Sequence, residues 1–274
     1  MAFLQTQFHS KALNLCVTCN VLMPVSDAPA TGRKVPVLYL LHGYSDDHSI
    51  WLRRTSIERY LEDIAPDFAV IMPAVDHSRY CDEKHGNKYW TYVSEELPQV
   101  MNSLFPISDR REDTFVAGLS MGGYGTLKLA LNHPERFLAA AAFSGASDMS
   151  RRLLAKPGDP EYNQEMVDVH GSYEEYIGSL NDMKHMASLV AKLPVKPALA
   201  LHCGTEDFLF ESNVAYHEYL NGLGYDHIWE ATPGYAHEWR YWDLKIQEAL
   251  RWFVGLRDEA TGGRKENTRP SANF

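Results

Sequence analysis

Apolar residues recur along this chain in two alternating rhythms. Short continuous runs at residues 35–41 (VPVLYLL), 68–72, 115–117, 137–143, 197–201 and 227–231 read as strands buried on both faces. Between them the spacing lengthens to i, i+3, i+4, i+7, the period of a helix with one buried face. Ile57, Tyr60, Leu61 and Ile64 repeat this way, behind a Thr55–Glu58 capping box. Leu97, Val100, Met101 and Leu104 line a helix over 94–104, with Glu95 and Glu96 at its positive end. Tyr216, Tyr219, Leu220 and Leu223 mark another, closed by Gly224. Trp239, Trp242, Ile246, Ala249, Leu250 and Phe253 share the face of the last. At the start, residues 3–10 and 12–23 alternate apolar with polar, as expected for an antiparallel pair of edge strands. A turn-rich connection, 27–34, follows them.

Strands that alternate with helices imply an α/β fold. A mostly parallel sheet of about eight strands, covered by helices on both faces, accommodates the pattern. Residues 147–194 break the rhythm, and read either as a small cap-like insertion over the sheet's carboxyl edge or as a long crossover. Residues 1–256 are expected to form one domain, and 257–274, polar and without period, a loose tail.

One stretch carries a chemical signature. In DTFVAGLSMGGYGTLKLALNHP a strand runs into Gly118-Leu119-Ser120-Met121-Gly122, and a helix follows until Pro134. G-x-S-x-G between strand and helix is a nucleophile elbow, which lifts a serine hydroxyl to the top of an α/β-hydrolase sheet. The pentapeptide alone has little specificity. Serine needs a base, and His237 in TPGYAHEW follows the last strand. That base needs a carboxylate to fix its tautomer. Asp207 in CGTEDF follows the preceding strand, and Asp148 is a second candidate. The order Ser, Asp, His is that of α/β-hydrolases. The developing oxyanion needs N–H donors. Met121, at a helix start, is expected to supply one. The His42-Gly43-Tyr44 loop after residue 41 is expected to supply the other through the N–H of Tyr44. Trp51, Trp90, Phe208 and Trp239, with His42 and Gly43, are candidates for contacting substrate.

Bulk properties narrow the setting. The formal net charge of −10 argues against nucleic acid as a partner. No run of eighteen apolar residues predicts a membrane span, and no signal peptide is evident, so a reduced, cytoplasmic setting is expected. Cys16 and Cys19 form a C-x-x-C, but on a strand residues three apart face opposite sides, which disfavours a disulfide or shared metal. Asp76, His77, Cys81 and His85 lack ligand-pair spacing, so no metal is expected.

Five blocks, LLHGYSDDHSIW, YWTYVSEELPQVM, GLSMGGYGTLKLAL, CGTEDFLF and GYAHEWRYW, together resemble the esterase D-type esterases. Among these the tributyrin esterase branch is most similar, with feruloyl esterases and S-formylglutathione hydrolases related to it. The resemblance spans about residues 5–255 and departs from the pattern at 147–181 and after about 256. It implies an α/β-hydrolase fold, Ser120, Asp207 and His237 as a triad, Tyr44 and Met121 as oxyanion donors, and no metal. The expected activity is a cofactor-free serine carboxylesterase acting on small-molecule, short-chain acyl esters. A feruloyl or acetyl-sugar esterase and an S-formylglutathione hydrolase-like thioesterase are the alternatives within that chemistry. A non-catalytic hydrolase-fold binding module is the alternative outside it. The oligomeric state is left open, a homo-oligomer included.

Overall fold

The computed structural model describes residues 1–25, 32–145, 147–160 and 162–262. Its eight strands form one sheet in the order β1-β2-β4-β3-β5-β6-β7-β8. β1 (Ala2–Ser10) and β2 (Leu15–Met23) pair antiparallel at one edge, and β2 joins β4 (Ala69–Pro73) antiparallel. β3 (Val37–Leu41), β5 (Thr114–Leu119), β6 (Ala139–Phe143), β7 (Ala198–Gly204) and β8 (His227–Thr232) continue the sheet in parallel.

Successive side chains on a strand face opposite sides, so each buried strand feeds two cores. Tyr39 and Leu41 join Val116, Ala140 and the elbow helix (Met121–Asn132) in one. Leu38 and Leu40 join Phe115, Ala117 and the terminal helix (Trp239–Thr261) in the other. Full burial on both faces is why these strands read as continuous apolar runs. β4 and β5 flank β3 on opposite sides, so the chain reverses its direction of travel across the sheet between β3 and β5. Ligands bind at the carboxyl ends of strands beside such a reversal. The residues following β3 and β5 are His42–Tyr44 and Ser120.

Four local expectations change. The helix Ile57–Ile64 starts without the capping box. Thr55 instead donates to the Trp51 carbonyl at 2.6 Å and accepts from the Ile57 N–H at 3.2 Å. The helix expected over 94–104 begins five residues earlier, at Tyr89, and passes through a π-turn, Tyr92–Glu96, before Leu97–Leu104. Pro98 has no N–H to donate to the preceding turn, and a π-turn just upstream accommodates that loss. Glu96 caps the β1–β2 turn, accepting from Ser10 Oγ and the N–H groups of Lys11 and Ala12. The terminal helix continues to Thr261, beyond residue 256; the rest of the expected tail from 263 lies outside the described residues, as does most of the 27–34 connection.

Within 147–194 the described residues form four short helices: Ser150–Leu154, Gln164–His170, Tyr173–Tyr176 and Met183–Val190. The segment packs onto the residues around the carboxyl edge, through both its helices and its turns. Glu165 accepts from the Tyr44 hydroxyl at 2.6 Å, and the Asn181 carbonyl accepts from the Tyr124 hydroxyl at 2.8 Å.

Candidate active site

Ser120 stands between β5 and the elbow helix with φ 53° and ψ −116°. A left-handed φ is costly for a residue with a side chain, and strain of this kind persists where the surroundings enforce it. The glycines on either side enforce it through close approach. A Cβ on Gly118 would lie 2.5 Å from the Gly122 carbonyl oxygen, and one on Gly122 would lie 2.6 Å from those of Leu41 and His42. The elbow helix is thereby pressed against the end of β3.

His237 and Asp207 arrive on loops that brace each other. Glu206 N–H donates to the Tyr235 carbonyl at 3.0 Å, and Gly204 leaves room for that same carbonyl. His237 Nε2 lies 2.9 Å from Ser120 Oγ, and His237 Nδ1 lies 2.8 Å from Asp207 Oδ2. An ionised carboxylate only accepts, so Nδ1–H donates to Asp207 and Nε2 is left to accept from the serine hydroxyl. Burial alone would raise the Asp207 pKa. Hydrogen bonds from His237 and the Leu209 N–H outweigh it, with a smaller contribution from Ser144, and hold the carboxyl below its usual range. The ring of Phe208 lies 4.5 Å from that of His237, and Trp242 meets the imidazole edge-on at 4.8 Å.

Met121 is the first residue of its helix, where the N–H has no intrahelical acceptor. The Tyr44 N–H makes no hydrogen bond among the described residues. Gly43 links it to Ser120: a Cβ there would be 3.8 Å from Ser120 Cβ and 2.7 Å from Leu119 Cδ1.

Other sequence candidates are placed elsewhere. His42 is 1% exposed, with Nδ1 2.7 Å from the Gly43 carbonyl and Nε2 accepting from the Val75 N–H at 3.0 Å. Burial lowers its pKa to about 4, so it is neutral and joins two loops, with no ring nitrogen left for substrate. Trp51 is equally buried, donating to the Leu41 carbonyl at 3.0 Å. Trp90 lies under the Lys128 ammonium, 4.4 Å from the ring centre, and stacks on His133. Trp239 is half-buried and packs edge-on against Trp51 and Trp242. Phe208, 72% exposed, is the aromatic candidate that stands beside His237 in solvent. Asp148, the second acid candidate, pairs with Lys184 at 2.7 Å and with Ser150 at 2.6 Å. It is not a partner of His237.

Two further residues belong to the assembly, one placed at a strand end by the sequence and one that escapes sequence reasoning. Ser144, just past β6 with φ 49°, is fully buried and contributes, behind His237 and the Leu209 N–H, to lowering the Asp207 pKa. Trp242 Nε1 donates to Ser144 Oγ at 3.1 Å, so the serine oxygen is an acceptor there and its proton is free to point elsewhere. Ser144 is visible in the sequence as a polar residue at a strand end. Trp242 is not, because helical periodicity marks it only as core.

The residues that suggested metal ligands are held apart. His77 stacks on Tyr44, while buried Cys81 lies 3.2 Å from the Lys128 ammonium. Cys16 is exposed and Cys19 buried on β2, and both are free thiols. Among the described residues His202, Glu230 and Glu248 do converge, but Lys245 Nζ sits 2.6 Å from Glu230 and 2.8 Å from Glu248. The cation of that cluster is the protein's own. Among the described residues no helix is long and apolar enough to cross a membrane.

The sequence model of the Putative esterase family matches residues 10–187. The acetyl esterase of Caldicellulosiruptor saccharolyticus is 30% identical over 273 residues, covering 94% of this chain and all of that protein. Two Staphylococcus aureus structures are 31% identical and span 92% of this chain and 98% of theirs. They are the fluorophosphonate-binding serine hydrolase F with substrate bound (TM-score 0.81) and the S-formylglutathione hydrolase apoenzyme (TM-score 0.80). The sheet and helix layers described above are therefore those of the α/β-hydrolase fold.

Proposed function

This chain belongs to the Putative esterase family and is a carboxylic ester hydrolase, and from that premise we propose that it is a serine carboxylesterase of short acyl esters using Ser120, His237 and Asp207. The observation that carries the reading is the unbroken hydrogen-bond chain from Ser120 through His237 to Asp207, at 2.9 and 2.8 Å. As the ester binds, Ser120 Oγ attacks the carbonyl carbon while His237 Nε2 takes its proton. Asp207 holds the imidazole in the accepting tautomer and stabilises the imidazolium. The N–H groups of Tyr44 and Met121 receive the oxyanion. Collapse expels the alcohol, protonated by His237. Water, deprotonated by the same histidine, then hydrolyses the acyl-enzyme. No step needs a cofactor. The relative named as an acetyl esterase supports a small acyl group.

The test is hydrolysis of p-nitrophenyl acetate and butyrate, with labelling by a fluorophosphonate. Ser120→Ala is expected to lose about five to six orders of magnitude in kcat and all labelling. An unchanged rate in that variant would sink the assignment. A thioester substrate is the second reading, favoured by the similarity to an S-formylglutathione hydrolase. S-formylglutathione assayed beside the acyl series separates the two, because the triad chemistry is common to both.

A further inference from the structure

Three cations are buried among the described residues: Lys128, Lys245 and Arg79. Lys128 donates to the Tyr80 carbonyl at 2.9 Å, and Lys245 holds two carboxylates. Arg79 is 8% exposed, yet its guanidinium makes no hydrogen bond or ion pair to any described residue, and its Nε is fully buried with no acceptor. A buried donor left without an acceptor is costly, more so when charged. An arginine kept only for packing finds carbonyls or carboxylates for its five N–H groups.

The chain holds this guanidinium in place at some expense. Arg79 and Tyr80 both adopt left-handed backbone, with φ 53° and 56°. The turn is pinned from below: Tyr80 OH donates to the His42 carbonyl at 3.0 Å, and Cys81 N–H to the Ser78 carbonyl at 3.0 Å. The guanidinium carbon then lies 4.9 Å from the centre of the Tyr44 ring. Tyr44 is the residue whose N–H faces the proposed oxyanion, one residue from Gly43 against Ser120. Glu165 bears on Arg79 electrostatically but forms no ion pair with it, and is engaged by the Tyr44 hydroxyl. His170 is close enough for the charge of Arg79 to act on it, and its buried Nε2 also lacks a partner. Two buried ring or guanidinium nitrogens without partners, Arg79 Nε and His170 Nε2, thus belong to one electrostatic neighbourhood, which adjoins the Tyr44 ring.

We propose that Arg79 recognises an anionic group on the substrate, so that the preferred esters carry a carboxylate on the acyl or the alcohol arm in addition to the scissile bond. A carboxylate is planar and matches the guanidinium fork in a paired, charge-assisted contact. This rests on the esterase reading of Ser120 and names the substrate class of that site.

Two ester pairs test it, each matched in length and differing in charge. 4-Nitrophenyl hemisuccinate against 4-nitrophenyl butyrate probes the acyl arm. 4-Acetoxybenzoate against its methyl ester probes the alcohol arm. The wild-type protein is expected to favour the charged member of one pair. In Arg79→Gln the charged-to-neutral ratio of kcat/KM for that pair should fall about tenfold or more, mainly through KM, with partial recovery in Arg79→Lys. The same ratio in wild type and Arg79→Gln for both pairs, or an equal loss on charged and neutral esters, overturns the proposal. Fluorophosphonate labelling of Ser120 reports whether the variant has kept its site. If it has not, wild type decides through inhibition of 4-nitrophenyl acetate hydrolysis. Inhibition by succinate or 4-hydroxybenzoate but not by their neutral methyl esters supports the proposal, and no difference overturns it. Wild-type protein that cleaves none of these esters and does not label removes the esterase reading itself.

Discussion

The carboxyl half of the sheet contains two histidine–carboxylate pairs built on the same two strands, with opposite surroundings. His237 and Asp207 follow β8 and β7 and meet at 2.8 Å; His202 in β7 and Glu230 in β8 meet at 3.1 Å. The first pair ends on a serine hydroxyl held in a left-handed turn, with no cation joined to it. The second ends on Lys245, whose ammonium is shared between Glu230 and Glu248. A carboxylate neutralised by a fixed lysine has little left with which to stabilise a transient imidazolium. Asp207 accepts from a neutral donor, the Leu209 N–H at 2.8 Å, and keeps its charge for the histidine. A histidine and a carboxylate in contact are therefore not yet a catalytic unit. The third partner decides, and in one case it is a serine hydroxyl and in the other a lysine ammonium.

Breaking the first pair should cost activity and little stability. Asp207→Asn is expected to lower kcat on p-nitrophenyl butyrate by about four orders of magnitude, because the amide donates to Nδ1 and turns the proton toward Ser120. A loss under tenfold would mean that another group orients His237. Breaking the second pair should do the reverse. Lys245→Met removes a 1% exposed cation and leaves two carboxylates facing each other. Both remain about 40% exposed, so water can reach them, and the expected loss is about 2 kcal/mol rather than that of a fully buried pair. Urea denaturation measures it. Esterase activity at a temperature where both proteins are folded should change less than about threefold.

These two pairs also mark what a sequence exposes and what it hides. Ser120, Asp207 and His237 were legible because each sits where a regular apolar rhythm stops, at the carboxyl end of a strand. The sheet itself was legible for the same reason, down to the antiparallel edge pair. Side-chain partners were not. Periodicity says that Trp242 and Trp51 face inward, but not that one donates to Ser144 and the other to the Leu41 carbonyl. His42 looked like a contact residue from its place after β3, whereas its two nitrogens are consumed by backbone. Local signals failed where another partner competed: Thr55 and Glu58 fit a capping box, yet Thr55 turns back one helical turn to the Trp51 carbonyl, and Glu96 leaves its own helix for the β1–β2 turn. Asp148 failed as an acid because Lys184 comes from a helix that no pattern connects to it.

The middle of the comparison is Ser144, a neutral hydroxyl that helps lower the Asp207 pKa where Lys245 supplies a charge to Glu230. Ser144→Ala should reduce kcat about fivefold with KM nearly unchanged, the value of one hydrogen bond to the carboxylate. Equal kcat in the variant would show that the hydroxyl serves Trp242 alone. Near-UV circular dichroism checks that the indole has kept its packing.

The smallest effect tests the counter-ion pair through pH. The Glu230 pKa is lowered to about 2, first by its hydrogen bond to His202 and then by Lys245, against an ordinary value of 4.5. A depressed carboxylate stabilises the folded state when ionised. That stability is fully present above the unfolded value of 4.5 and is lost as pH falls toward the folded value of about 2. Glu230→Gln should therefore be less stable than wild type at pH 7, and the gap should close between pH 4.5 and 2. The side chain is 40% exposed, so solvent screening reduces the difference at pH 7 to about 1 kcal/mol. Urea titrations at neutral pH and at steps below 4.5 follow the gap. A gap that persists at full size toward pH 2 would assign the loss to shape rather than charge, and would remove the electrostatic distinction between this pair and His237–Asp207.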